Sequence, residues 1–168
     1  MLQEYCRVNK FQIIKAGTKE FCTLPTPPQI IPLLEIPNHS IILTFIRKAY
    51  KGFDSDLRIH CDHYIQGEKS ALASVLYINE PEGVTPNGTA FWKHEKYGLQ
   101  APEDLSDTEF DRLITEDAND ESKWERLDYI SAVPNRMVTY SSNLFHSKYP
   151  KEIEEGQRTV LVIFYKKD

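Results

Sequence analysis

Short runs of β-branched and aromatic residues, each cut off by turn-forming residues, constrain this chain more than any other feature. Residues 40–50 (SIILTFIRKAY) read as a strand, and 51–56 (KGFDSD) have turn composition. Residues 57–64 (LRIHCDHY) read as a strand running into a loop. A strongly apolar strand follows at 71–79 (ALASVLYIN), stopped by residues 80–87 with their two prolines, and a short strand at 88–92 (GTAFW). Strand character returns at 129–133, at 136–145 (RMVTYSSNLF) and at 158–166 (RTVLVIFYK). Many short strands with minor helices argue for a barrel or sandwich. The expectation is a mainly β fold: a double-stranded β-helix, or jelly-roll, core with a few flanking helices. Such a barrel has an open mouth for a metal and a packed base.

At 168 residues the chain is expected to form a single domain with a full core. Residues 1–40 are rich in proline (Pro25, Pro27, Pro28, Pro32, Pro37) and should make turns and short extended pieces that support that core. Cys6, Cys22 and Cys61 are widely spaced and form no CxxC pair, so neither a zinc ribbon nor a disulfide scaffold is expected. Reduced thiols fit a cytoplasmic compartment. The first residues are too polar for a signal peptide, and no apolar run approaches the roughly 20 residues of a membrane helix.

The net charge of −5 is unevenly spread. Residues 95–128 hold twelve acids against four bases, which leaves the rest of the chain with a small positive excess. This acidic insertion, placed at 93–128, would repel a phosphate backbone on its side. No basic, aromatic-interleaved stripe is visible, so nucleic acid is not an expected partner. The insertion should be partly helical. Ser106-Asp107-Thr108-Glu109 is a capping-box pattern, and Phe110, Leu113 and Ile114 recur at helical spacing. Asp120 is expected to cap a second short helix carrying Trp124 and Leu127. Lying between core strands, the insertion is expected to flank the site's mouth and help to select the substrate.

The chemistry-bearing residues are few. On a strand, His60 and Asp62 point to one face, so both can approach one ion, while Cys61 points into the packing. His146 ends an apolar run. Two imidazoles and one carboxylate bind one face of Fe(II) and leave the other open. Arg158 opens an almost wholly apolar strand and needs an anionic partner, because an unpaired buried charge is costly. That partner is either an Asp or Glu of the protein or a bound carboxylate, which a guanidinium grips bidentately. His63 has the wrong strand parity to join Asp62 and is read as a solvent or loop residue, and His94 as an exposed loop histidine.

Residues from about 50 to 166 resemble the 2-oxoglutarate/Fe(II)-dependent oxygenase superfamily, on its prolyl-hydroxylase-like side. The matching pieces are 57–62 (LRIHCD), 74–79 (SVLYIN), 87–92 (NGTAFW), 135–138 (NRMV), Phe145-His146 and Arg158. The resemblance implies that His60, Asp62 and His146 ligate Fe(II) and that Arg158 binds the C5 carboxylate of 2-oxoglutarate. It implies that Tyr77 touches the same carboxylate and that Tyr50, ten residues before His60, faces the co-substrate. Two positions depart from the pattern. Arg158-Thr159-Val160 replaces Arg-x-Ser/Thr, so Tyr77 would supply the second polar contact, and Asn87-Gly88 replaces Gly-Gly.

The implied reaction is hydroxylation of a C–H bond in a prolyl residue, peptide or small molecule. O2 would be the oxidant, 2-oxoglutarate would yield succinate and CO2, and ascorbate would be an auxiliary reductant. The rivals are a cupin-like metal enzyme of other chemistry, which does not require Arg158, and a catalytically silent jelly-roll binding module.

Overall fold

A computed structural model describes residues 1–16, 19–54, 58–78 and 87–168. Leu57, Asn79 and the expected turn over 80–86 lie outside the described residues, as do Ser55 and Asp56. Helix α1 (Leu2–Val8) precedes strands β1 (Gln12–Ala16) and β2 (Lys19–Pro25) and a 3-10 helix (Pro28–Leu34). Then come β3 (His39–Tyr50), the short β4 (Tyr64–Ile65) and β5 (Glu68–Lys69), β6 (Leu72–Tyr77) and β7 (Gly88–His94). Helix α2 (Asp107–Thr115) and two 3-10 turns lead to β8 (Trp124–Ser131), β9 (Met137–Ser141), β10 (His146–Tyr149) and β11 (Gln157–Lys167).

Two antiparallel sheets face each other, one ordered β1-β2-β3-β11-β6-β9 and the other β10-β7-β8. This is the expected jelly-roll-like, mainly β core with few helices. Strand β11 explains the long apolar run at its centre. Leu161, Ile163 and Tyr165 pack outward against Leu24, Ile30, Leu34 and Ile46, while Val160 and Phe164 pack inward with Val75, Tyr77, Val138 and Tyr140. A strand covered on both faces reads as continuous rather than alternating hydrophobicity. The outer cover is the N-terminal region: Leu2, Tyr5 and Cys6 of α1 add to the same cluster, and the Tyr165 hydroxyl donates to Leu34 O at 2.8 Å.

Several elements differ from the sequence expectation. Residues 58–63 form no strand; His60 makes an isolated bridge to His146, and Asp62 N–H donates to Ser142 O at 2.7 Å. The run 136–145 is not one strand. Strand β9 stops at Ser141, and residues 142–145 carry the chain from the large sheet to the small one, with Ser142 N–H on Ala71 O at 3.1 Å and Phe145 N–H on Leu99 O at 3.1 Å. The Ser106 cap is present: its Oγ accepts from Glu109 N–H at 3.4 Å. Asp120 caps only one 3-10 turn, accepting from Ser122 N–H at 3.1 Å. Trp124 then opens β8, paired with His94, because its ring packs edge-on against His94 and Phe145 rather than on a helix face. Among the described residues no helix is long and apolar enough to cross a membrane.

Gly88 starts β7 against β8, and a Cβ there would lie 2.1 Å from Ile130 O. The backbone of the partner strand cannot yield as a flexible side chain would. Gly88→Ala should therefore lower stability by about 3 kcal/mol, read as a lower urea midpoint at unchanged m-value.

Candidate metal centre

His60 and His146 meet across their isolated bridge, with backbone hydrogen bonds of 3.0 and 2.9 Å in the two directions. Each ring is held in the same way. His60 Nδ1 bonds to Arg58 O at 2.8 Å and His146 Nδ1 to Leu144 O at 2.9 Å. A carbonyl only accepts, so each Nδ1 carries the proton and each Nε2 keeps its lone pair. Those lone pairs converge on Asp62: His60 Nε2 is 3.6 Å from Oδ1 and His146 Nε2 is 3.1 Å from Oδ2. The three candidate ligand atoms all lie within 4.8 Å of one another. Electron-pair donors packed this closely need a proton or a cation between them, and two imidazoles with one carboxylate are a donor set suited to Fe(II).

The geometry works without the expected strand. The His60 bridge and the Asp62 N–H bond to Ser142 O tie the loop to the β9–β10 segment at two points. From behind, Ile59 N–H donates to Ala118 O at 2.8 Å and Arg58 N–H to Asn119 Oδ1 at 2.9 Å. Ile59 sits in a buried cluster with Trp92, Leu113, Trp124 and Phe145. Cys61 packs against the same cluster, as its parity implied, and burial pushes its thiol up to about 11.

Electrostatics prepare the ligands. Burial, followed by the neighbouring His146, lowers His60 from 6.5 to about 4. For Asp62, burial acts upward, but His146 and His60 together outweigh it and the carboxyl falls below its usual value. A neutral His60 and an ionised Asp62 therefore stand ready near pH 7. The His60 shift also has a stability consequence. Below pH 6.5 the unfolded chain protonates His60 before the folded one does, so stability falls as pH falls. A drop on the order of 3 kcal/mol is expected between pH 6.5 and 4 in the metal-free protein. Thermal midpoints across that window should show the slope, and His60→Asn should flatten it.

The three side chains open into a cavity of about 320 Å³ between the sheets. Arg158 lines the same cavity, as do Phe45, Val75, Val160, Val162 and Phe164. Arg158 is 8% exposed, and its Nε has no hydrogen-bond partner. Among the described residues no acid lies within ion-pair distance of it. Asp54, an acid felt electrostatically by Arg158, ion-pairs with Arg47, and burial pulls the Arg158 guanidinium down from its ordinary value. The protein-side partner considered from sequence is thus absent among the described residues, and a buried donor faces the cavity.

The tyrosines are placed differently from one another. Tyr77 stands beside Arg158, whose guanidinium carbon is 5.7 Å from the ring centroid. Its hydroxyl is already bonded, to Thr89 Oγ1 at 2.7 Å and to Ile130 O at 3.3 Å, so Thr89 rather than Tyr77 presents a hydroxyl to the cavity. Tyr50 does not line the cavity. Leu43, Phe45 and Arg47 of β3 do, and strand parity turns Tyr50 away, where it stacks on Phe53 at 5.2 Å.

His63 stays outside the ligand cluster, edge-on to Tyr64. His94 corrects the sequence reading: it is 2% exposed, not a loop residue, because β7 runs on to it. There Nε2 meets Asp117 Oδ2 at 3.1 Å, and Nδ1 accepts from Lys96 N–H at 3.2 Å. That pair helps to fasten the acidic segment. No residue of 93–128 lines the cavity, so the expectation that the segment flanks the mouth is not met. Its apolar residues belong to the cluster behind the small sheet, where they buttress the His60 loop. Ile14, Phe21, Arg58 and Lys148 are among the residues that do line it. Sequence reasoning passed over these, and over Arg47 and Tyr140. A charge within the apolar β3 run was the available signal for Arg47, and two-residue spacing from the histidines was the signal for Arg58 and Lys148.

The family of unknown function DUF6445 matches residues 57–155, which span the His60 loop, the acidic segment and His146. The chain belongs to that family. No curated protein matches it. Among solved structures, an oxidoreductase of the 2OG-Fe(II) oxygenase family from Burkholderia pseudomallei aligns with 98% of this chain and 76% of its own, at 13% identity and a TM-score of 0.56. HygX from Streptomyces hygroscopicus, solved with iron bound, aligns with 99% of this chain and 75% of its own, at 13% identity and a TM-score of 0.56. The same protein with nickel and 2-oxoglutarate bound aligns at 15% identity and a TM-score of 0.53. At these identities the DUF6445 chain shares their fold.

Proposed function

We propose that this protein is a 2-oxoglutarate- and Fe(II)-dependent dioxygenase that hydroxylates a C–H bond. One observation carries the reading: two imidazoles and a carboxylate converge in the lining of a cavity, and a buried guanidinium with an unsatisfied Nε lines the same cavity. Iron with 2-oxoglutarate and O2 supplies the oxidation when bound, yielding succinate and CO2. The chain's own part is positional. His60, Asp62 and His146 hold one side of the ion, and the Nδ1 bonds to Arg58 O and Leu144 O keep both rings aimed. Arg158 grips the distal carboxylate of the co-substrate, with Thr89 as the adjoining hydroxyl. Val160, Val162 and Phe164 keep that end dry, which strengthens the ion pair. The whole chain acts as one catalytic domain, with the N-terminal region bracing the large sheet and the 93–128 segment bracing the small one.

A prolyl residue, another peptide residue or a small molecule is the substrate under this reading. Anaerobic titration with Fe(II) and 2-oxoglutarate tests it. The expected result is a weak visible charge-transfer band together with 2-oxoglutarate-dependent succinate release. A band without turnover on any substrate would favour the silent binding module, and metal binding indifferent to 2-oxoglutarate would favour a cupin-like enzyme.

A further inference from the structure

His60 and His146 are aimed by the same kind of bond, from Nδ1 to the carbonyl two residues back, but the two carbonyls are held differently. Leu144 lies where the chain passes between the sheets, with its N–H on Ser141 O at 3.1 Å and a bridge to Gln100. Arg58 belongs to no strand. Its φ is +40°, in the left-handed region that residues with a Cβ seldom adopt and that persists only where neighbours impose it.

The acidic segment imposes it. The φ and ψ of Arg58 relate the two peptide planes that flank it, and each plane is tied to the 3-10 turn Asp117–Asn119. The Arg58 N–H donates to Asn119 Oδ1 at 2.9 Å. The Ile59 N–H, in one plane with the Arg58 carbonyl, donates to Ala118 O at 2.8 Å. At the other end of that plane, Arg58 O accepts from His60 Nδ1 at 2.8 Å. The turn is anchored in its own right at Asp117. His94 Nδ1 accepts from the N–H groups of Lys96 and Tyr97 at 3.2 and 3.3 Å, so its Nε2 carries the proton and donates to Asp117 Oδ2 at 3.1 Å. Trp124 Nε1–H donates to Asp117 O at 2.8 Å. Among the bonds between the turn and the His60 loop, the one from Asn119 is made by a side chain, on an exposed residue that lines no part of the cavity.

We infer that Asn119 is a positioning residue of the metal centre: it holds the Arg58 backbone, and through it the His60 ring, in the orientation that points Nε2 at the ion. The inference rests on the dioxygenase reading for the ion, and it gives the acidic segment a part in that site. His146, aimed from Leu144, should not depend on it.

Wild type, Asn119→Ala and Asn119→Asp, which keeps the acceptor oxygen, decide the matter as full chains. In the metal-free proteins near neutral pH, nitrogen-15 NMR of the imidazoles tells which ring nitrogen carries the proton. Both His60 and His146 should be Nδ1–H in wild type and in Asn119→Asp. In Asn119→Ala, His60 should shift toward the Nε2–H form while His146 does not. Titration with Ni(II) and 2-oxoglutarate against a chromophoric chelator should show an affinity lower by about ten-fold in Asn119→Ala and restored in Asn119→Asp, because losing a group that orients a metal ligand costs about 10–100-fold. Far-UV circular dichroism should be the same for all three. An Nε2–H His60 in wild type overturns the inference, as does an unchanged His60 tautomer or Ni(II) affinity in Asn119→Ala. So does an aspartate variant as impaired as the alanine one, and loss of fold in Asn119→Ala would make Asn119 an ordinary structural residue. Failure of the wild-type chain to take up Ni(II) counts against the dioxygenase reading alone, and the His60 tautomers then decide the positioning role by the same criteria.

Discussion

Arg158→Met is expected to weaken 2-oxoglutarate binding severely while raising the stability of the ligand-free protein. The two effects share one cause. The guanidinium is 8% exposed, lacks a partner at Nε, and is pulled below its ordinary pKa by burial. A cation kept dry without a counter-ion costs folding free energy, and methionine removes that cost while keeping an unbranched stem beside Tyr77. A gain of about 1–3 kcal/mol in unfolding free energy is the expected scale. The same deficit makes the site hungry for a carboxylate. Removing one partner of a buried, hydrogen-bonded charge pair costs about 2–5 kcal/mol, so affinity should fall roughly 30-fold to several-thousand-fold. Calorimetry with Ni(II)-loaded protein gives the affinity, and urea unfolding of the metal-free variant gives the stability. A variant that binds 2-oxoglutarate normally would remove Arg158 from the site. One that is markedly less stable would point to an ordinary structural arginine.

His146→Ala should abolish the Fe(II)- and 2-oxoglutarate-dependent absorption and lower metal affinity by more than about 100-fold, since even removing a group that only hydrogen-bonds a metal ligand costs about 10–100-fold. His146 supplies the Nε2 nearest Asp62, at 3.1 Å, and its backbone holds His60 in place through bonds of 3.0 and 2.9 Å. The backbone bonds survive the substitution, so the His60 loop should stay put and the effect should read as lost ligation rather than unfolding. Cys61→Ala is the matched comparison. It lies between His60 and Asp62 in sequence but packs away from the ion, and its metal affinity should stay near wild type. Equal metal binding by His146→Ala and wild type would place the ion elsewhere or nowhere.

How legible the site was depended on the kind of information needed. His60, Asp62, His146 and Arg158 were visible because metal and carboxylate chemistry demand particular residue types, and the order of those residues survives in a linear string. The route by which His60 and Asp62 reach a common ion was misread. A strand would align them by its two-residue period, but the loop does so through one bridge to His146 and one bond to Ser142. His94 was misread for a related reason. Its burial comes from β7 continuing to pair with β8 and from Trp124 closing over it, neither of which the flanking polar residues announce.

Tyr50 and Tyr77 mark a second limit. Both carry the right side chain at the expected spacing, yet parity turns Tyr50 out of the cavity, and Thr89 engages the Tyr77 hydroxyl. The acidic segment marks a third. Its charge is plain in the sequence, but its role follows from which face of the small sheet its few apolar residues cover.

The sequence alone determined the fold class and the donor set. Alternating and continuous apolar runs of strand length admit few architectures, and a His-x-Asp with a distant His and Arg admits few chemistries. Only the tertiary structure decided that the four residues face one cavity and that Arg158 lacks a protein counter-ion among the described residues. Those facts depend on strand pairing between segments more than eighty residues apart, such as His60 with His146. A linear pattern carries the period of each strand but not the register between two of them, and it is the register that turns separate charges into a site.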